Sequence, residues 1–143
     1  MSSTSSRRFL RMQWRLHKLV WNLSGGRLGR RVSGMPVLEL VTIGHRSGQE
    51  RGILIWYVST ARGPAVIGSN AGASYDPAWV KNLRAHPGAR IRRDGTWSDV
   101  RARFAAGAEF EEIWQKAVEA ADDYAGYAAV TDRPIPVVVL EPA

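Results

Sequence analysis

The run Ile53-Leu-Ile-Trp-Tyr-Val58 constrains the fold more than any other stretch of this chain. It is of β type and nearly continuous in large apolar residues, so both of its faces must be covered. Val37-Leu-Glu-Leu-Val-Thr-Ile43 precedes it, and Ile135-Pro-Val-Val-Val-Leu140 supplies a last buried strand. Between them Thr60-Ala-Arg-Gly-Pro64 reads as a turn and Ala65-Val-Ile-Gly68 as a short strand. Asp94-Gly95 separates residues 89–93 from 96–104 and is a strong two-residue hairpin signal. In the second arm Val100, Ala102 and Phe104 form one alternating set, with arginines on the other face and Trp97 ahead of them.

The helices are punctuated too. Asp76 reads as an N-cap and Pro77 as the first position of a helix that runs through Arg84 and stops before His86-Pro-Gly88. Residues 109–118 are amphipathic, with Phe110, Ile113, Trp114, Ala117 and Val118 facing inward, and a second helical piece covers about 122–130. About six short strands with inserted helices, and a last strand returning to close the sheet, predict an α+β barrel. At 143 residues the chain is one domain's worth, able to bury roughly two-thirds of its unfolded surface. It divides into a basic arm and connector, 1–34, and a barrel domain, 35–143.

The formal charge of +7 suggests nucleic acid until it is located. Residues 1–31 hold eight Arg or Lys and no acid, which leaves twelve basic and thirteen acidic residues for 32–143. Over 7–23, Phe9, Met12, Leu16, Leu19, Val20 and Leu23 form a stripe at helical spacing, opposite Arg7, Arg8, Arg11, Arg15 and Lys18. Trp14 and Trp21 lie on the flanks, a pattern that suits a helix in a membrane interface or one packed on the barrel. The body adds no basic surface, so no nucleic-acid partner is expected. No apolar run approaches the roughly 20 residues of a spanning helix or a signal-peptide core. The expectation is a cytoplasmic protein, with peripheral contact to the inner face of the membrane through 7–23 as one option.

The absence of cysteine removes disulfides, thiol nucleophiles and thiolate metal sites. His17, His45 and His86 are far apart, so no metal site is expected. Dinucleotide, triphosphate and α/β-hydrolase signatures are missing. Two small-residue loops remain. Gly44-His-Arg-Ser-Gly-Gln-Glu-Arg-Gly52 offers Arg46 and Arg51 as forks for phosphate or carboxylate, Ser47 as a hydroxyl, and glycines able to turn N–H groups outward or to let a ligand approach closely. Gly68-Ser-Asn-Ala-Gly72 feeds a helix N-terminus that is itself attractive to anions. Trp56, Tyr57 and Trp79 offer a flat wall for an aromatic ring. Together these suit a ligand with a charged tail and a planar head.

Five blocks in order also resemble one family: 44–51, 68–72, Asp76-Pro-Ala-Trp-Val-Lys-Asn-Leu83, Thr131-Asp-Arg-Pro-Ile-Pro136 and Val137-Val-Val-Leu-Glu-Pro142. The chain resembles the deazaflavin-dependent nitroreductases of actinobacteria, split β-barrel reductases that use reduced coenzyme F-420. The resemblance covers about residues 35–142. It implies a barrel akin to flavin-mononucleotide-binding proteins and a hydride supplied by the coenzyme. Position by position it implies that Arg46, Ser47, Gly48, Gln49 and Arg51 hold the coenzyme's phosphate and acidic tail, with His45 in place of a commoner arginine. Ser69, Asn70, Gly72, Trp79 and Asn82 would line the deazaflavin and its ribityl chain, and Ile53, Gly68 and Ala78 join the same cofactor-binding set. On the substrate side it implies Tyr124 and Tyr127, one helical turn apart, with Trp56 where some relatives carry tyrosine. Either hydroxyl, or that of Ser69, is a candidate catalytic group for the proton that follows the hydride. The acceptor implied is a quinone or nitro compound. A split barrel binding flavin mononucleotide or haem, and a non-enzymatic membrane-surface module, stay open as alternatives.

Overall fold

The computed structural model describes residues 31–32, 35–121, 123–129 and 131–143, and the backbone alone at 31, 32, 71, 123 and 127. The helix expected over 7–23 and the side chain of Tyr127 lie outside the described residues. The described strands are β1 (Arg31–Val32), β2 (Met35–Ile43), β3 (Glu50–Trp56), β4 (Val58–Thr60), β5 (Gly63–Ile67), β6 (Gly88–Arg93), β7 (Thr96–Phe104) and β8 (Val137–Pro142). The helices are α1 (Ala78–Ala85), α2 (Gly107–Ala120) and α3 (Asp123–Ala129), with a short 3₁₀ turn at Asn70–Gly72.

The sheet runs β3–β2–β6–β7–β8–β5–β4, every pair antiparallel. Its two ends are one length of chain. β3 pairs with β2 as far as Trp56 opposite Val37, and then β4 pairs with β5 from Val58 opposite Ala65. Tyr57 lies at the switch and donates its N–H to the Pro36 carbonyl at 3.2 Å. The apolar run 53–58, expected as one strand, is therefore two, and the change of partner within it closes the barrel. Arg31–Val32, read as connector, pairs back onto Pro36 and Met35.

Strand alternation sorts the apolar residues into two cores. Leu38, Leu40, Val66, Ile91, Val100, Val138 and Leu140 pack with Trp79, Val80 and Leu83 of α1. Val37, Leu54, Trp56, Ala65, Ile67, Val137 and Val139 point to the opposite face, where Ile113 and Ala117 of α2 and Tyr124 of α3 cover them. β8 is thus buried on both faces, as its composition predicts, and each fully buried Val or Leu there contributes about 1.5–3 kcal/mol. The Asp94-Gly95 hairpin forms, both residues having positive φ (54° and 78°). Beside it Trp97 stays 40% exposed, with the guanidinium groups of Arg90 and Arg92 over its ring. At the far edge Arg103 bridges Glu109 at 2.6 Å and Glu141. The Arg103 hydrogen bond holds the Glu109 carboxyl below its ordinary value of 4.5.

One helix start differs from expectation. α1 begins at Ala78, after Pro77 in extended conformation, and no side chain caps it. The Asp76 carboxylate accepts instead from Arg133 at 2.9 Å. A charged partner within reach outcompeted the capping bond.

Candidate functional site

Both small-residue loops are fastened to α1, from different ends. Residues 44–49 join β2 to β3 and close on themselves, since Gly44 N–H donates to the Gln49 carbonyl at 2.8 Å and Gly48 N–H to the Gly44 carbonyl at 2.9 Å. These two amides serve the turn, and Gly52 sits inside β3 opposite Val41. Of the two roles the sequence offers these glycines, turning N–H groups outward fails at Gly44 and Gly48, whose amides pair within the turn, while close approach to a ligand is untouched by that pairing. Of the three only Gly48 has positive φ (70°). The side chains are what the loop presents. Arg46, Ser47, Gln49 and Arg51 are exposed, and Arg51 Nη2 donates to Gln49 Oε1 at 3.1 Å, which holds the guanidinium along the loop.

Beneath this loop stands Asn82, 3% exposed, on α1. Its Oδ1 accepts from His45 N–H at 2.9 Å and lies 2.8 Å from His45 Nδ1, while Nδ2 donates to Thr42 Oγ1 at 3.0 Å. For Oδ1 to accept from both, the His45 ring must carry its proton on Nδ1. Both acceptor positions of Oδ1 and one of the two Nδ2 N–H groups are thus used within the protein. Its part in the site is to pin the loop to the helix.

The second loop, 68–76, runs from β5 into the N-terminus of α1. Gly68 is pressed between Pro136 and Val80, each with an atom 2.8 Å from where a Cβ would stand. Ser69 is buried, and Asn70 and Gly72 take positive φ (47° and 78°). Ala78 is exposed at the start of α1, whereas Trp79 turns into the core that α1 shares with Leu38 and Leu40. Sequence reasoning missed the residue that organises this loop, Arg133, which it quoted only inside a family block. An arginine four residues before a both-faces-buried strand was the available signal.

The wall expected from Trp56, Tyr57 and Trp79 does not form. Trp56 belongs to the core that α2 and α3 cover, and Tyr57 and Trp79 to the one shared with α1, because neighbouring strand residues point to opposite faces. Two groupings replace it. Trp56 meets Tyr124 edge-on, ring centroids 5.8 Å apart, with Trp114 on the other side of Tyr124. On the opposite face Ile53, Ile55 and Tyr57 make a half-covered apolar strip along β3, the strand that also carries Arg51. Among the described residues no cluster of three or more His, Cys, Asp or Glu could hold a metal, and no described helix is long and apolar enough to cross a membrane.

Known proteins bear on this geometry. The family model for F420H(2)-dependent quinone reductase matches residues 13–142. The F420H(2)-dependent quinone reductase Rv1261c of Mycobacterium tuberculosis is 32% identical over 130 residues, which span 88% of this chain and 87% of that protein. Among solved structures, the F420-H2 dependent reductase FDR-A superposes with a TM-score of 0.68 at 34% identity, over 74% of this chain and 94% of its own. The haem storage protein HutZ of Vibrio cholerae superposes at 0.60 with 14% identity, over 85% of this chain and 88% of its own, and shares the split-barrel fold alone. The fold does not select the cofactor, but the matched family does: this chain belongs to the F420H(2)-dependent quinone reductase family and is an oxidoreductase that depends on reduced coenzyme F-420.

Proposed function

We propose that the chain passes a hydride from reduced coenzyme F-420 to a quinone or nitroaromatic acceptor. One observation carries the cofactor half of this reading. β3, which itself carries the exposed Arg51, joins a half-covered apolar strip (Ile53 and Ile55, continued by Tyr57) to a self-closed loop that exposes Arg46. A planar ring fits the first and a polyanionic tail the second, which is the donor set such a coenzyme needs. The bound coenzyme supplies the hydride. The protein's own work is placement: Arg46, Ser47, Gln49 and Arg51 grip the tail, Asn82 and His45 fix their loop, and loop 68–76 borders the ring.

On the acceptor side we assign Trp56, Tyr124 and Tyr127. Trp56 and Tyr124 lie across β3 from the apolar strip, so this assignment requires the reacting edge of the ring to reach past that strand to their face. Tyr124 is only 4% exposed between two tryptophans. A hydroxyl so covered reaches an acceptor only where α3 moves aside, and the alternative is pure packing. Replacing Tyr124 by Phe separates the two. As a proton donor its loss lowers kcat roughly 10²-fold or more with coenzyme affinity unchanged, while an unaltered kcat with both a menaquinone and a nitroaromatic assigns it to packing and leaves Ser69 and Tyr127. The apolar and cationic patterning of residues 7–23 supports peripheral membrane contact, which would bring the site to membrane quinones. Liposome binding that survives deletion of 1–30 would rule that contact out.

A further inference from the structure

Arg133 arrives from the segment between α3 and β8, and its guanidinium is engaged almost entirely by loop 68–76. Nη2 donates to the carbonyls of Gly68 at 2.9 Å and Ser69 at 2.8 Å. Nε donates to Ala73 O at 2.8 Å, and Nη1 to Asp76 Oδ1 at 2.9 Å and Pro134 O at 3.4 Å. Five contacts match the five N–H donors of the group, and the side chain is 12% exposed. Little else ties the loop down. Gly68 N–H bonds Pro136 O at its root, Gly72 and Ala73 N–H close the 3₁₀ turn, Asn70 Nδ2 reaches Tyr75 O, and Thr131 Oγ1 reaches Ala73 O.

These contacts have a directional consequence. In a planar trans peptide the N–H points opposite to the C=O. Drawing the Gly68 and Ser69 carbonyls onto Arg133 therefore turns the N–H groups of Ser69 and Asn70 to the other side of the loop. Neither N–H has an acceptor among the described residues. We propose that Arg133 is the positioning residue of the coenzyme's ring: from behind, it fixes the 68–76 backbone so that this loop meets the polar atoms of the deazaflavin in one orientation. The proposal rests on the deazaflavin reading above. Arg133 never touches the coenzyme and acts through the loop. A lysine keeps the charge but, with a single nitrogen, cannot span carbonyls at 68, 69 and 73 together with Asp76.

The test compares the parent with Arg133→Lys and Arg133→Ala. In ligand-free protein, amide hydrogen exchange over 68–76 is expected to quicken at least tenfold in Arg133→Lys while β2 and β8 keep parental protection. Affinity for coenzyme F-420 and for tail-less deazariboflavin should fall by the same factor, roughly tenfold or more. A folded Arg133→Lys protein with parental exchange in 68–76, or with lost affinity for the tail-bearing coenzyme alone, overturns the proposal. If Arg133→Ala does not fold, Arg133→Lys decides. A parent that binds neither deazaflavin sinks the cofactor reading and the coenzyme half of this proposal with it. The exchange measurement still shows in that case whether Arg133 governs the loop.

Discussion

Residues 44–49 close on their own backbone and leave Arg46 in solvent, with Arg51 exposed just beyond on β3, whereas residues 68–76 fold around a guanidinium that arrives from position 133. The first loop takes its turn from neighbouring residues, is pinned from below by Asn82, and sends its charges outward. The second is the reverse, buried at 68, 69, 72 and 73 though open at Ser74 and Tyr75, and shaped by a residue more than 55 positions away. Under the proposed function the contrast matches two tasks that one ligand would impose. A flexible polyanionic tail is held well enough by exposed forked charges, while a reacting ring needs a border held within a fraction of an ångström. Asn82 and Arg133 hold the two borders, one under each loop.

The largest effect expected is on stability, at Asn82. Asn82→Ala leaves the Thr42 hydroxyl, 1% exposed, and the His45 N–H without their partner. The cost should be about 2–4 kcal/mol of unfolding free energy in denaturant titration. A loss under about 0.5 kcal/mol would mean that loop 44–49 needs no anchor and would sharpen its self-contained character. Next comes Arg51→Ala. Its cost, about 1.5–3 kcal/mol or roughly 10- to 150-fold in coenzyme affinity, should appear in binding and not in unfolding. Because the group is exposed, the parent's affinity should fall with added salt and the variant's should fall less steeply. Equal salt slopes would remove this loop from tail binding.

A control outside both loops has the smallest effect. Glu109 has its folded-state pKa depressed by Arg103. Its stabilising contribution is therefore present above the ordinary 4.5 and is lost as the pH falls through the lower folded value. Melting temperatures from pH 6 to pH 3 should fall more in the parent than in Glu109→Gln, with coenzyme affinity at neutral pH equal in the two. A parallel fall in both would deny the pair any part in acid stability.

The sequence is most legible where the deciding residues are neighbours. Asp94-Gly95 sets its hairpin, residues 96–104 form β7 as delimited, and the stripe of α2 buries Ile113 and Ala117. It is least legible where a distant partner decides. Asp76 carries a cap's signature, yet Arg133 takes its carboxylate, and nothing between 53 and 58 marks Tyr57 as the place where the strand changes partners. The tryptophan wall is a different kind of error. Counting alternate residues along β3 would have put Trp56 and Tyr57 on opposite faces. The site reads similarly: the guanidinium groups of loop 44–49 stand out in the sequence, whereas the role of Arg133 needs the β5–β8 register that brings Pro136 to Gly68.

In the proposed function a cationic rim and an apolar strip together select a deazaflavin with a long acidic tail over other split-barrel ligands. Calorimetric titration of the full chain with coenzyme F-420, flavin mononucleotide and haem, repeated with Arg51→Ala, addresses this directly. The predicted result is one saturable site for coenzyme F-420, bound at least tenfold more tightly than the other two and weakened in the variant. Equal or tighter binding of flavin mononucleotide or haem, or an Arg51→Ala protein that binds coenzyme F-420 as the parent does, would contradict it.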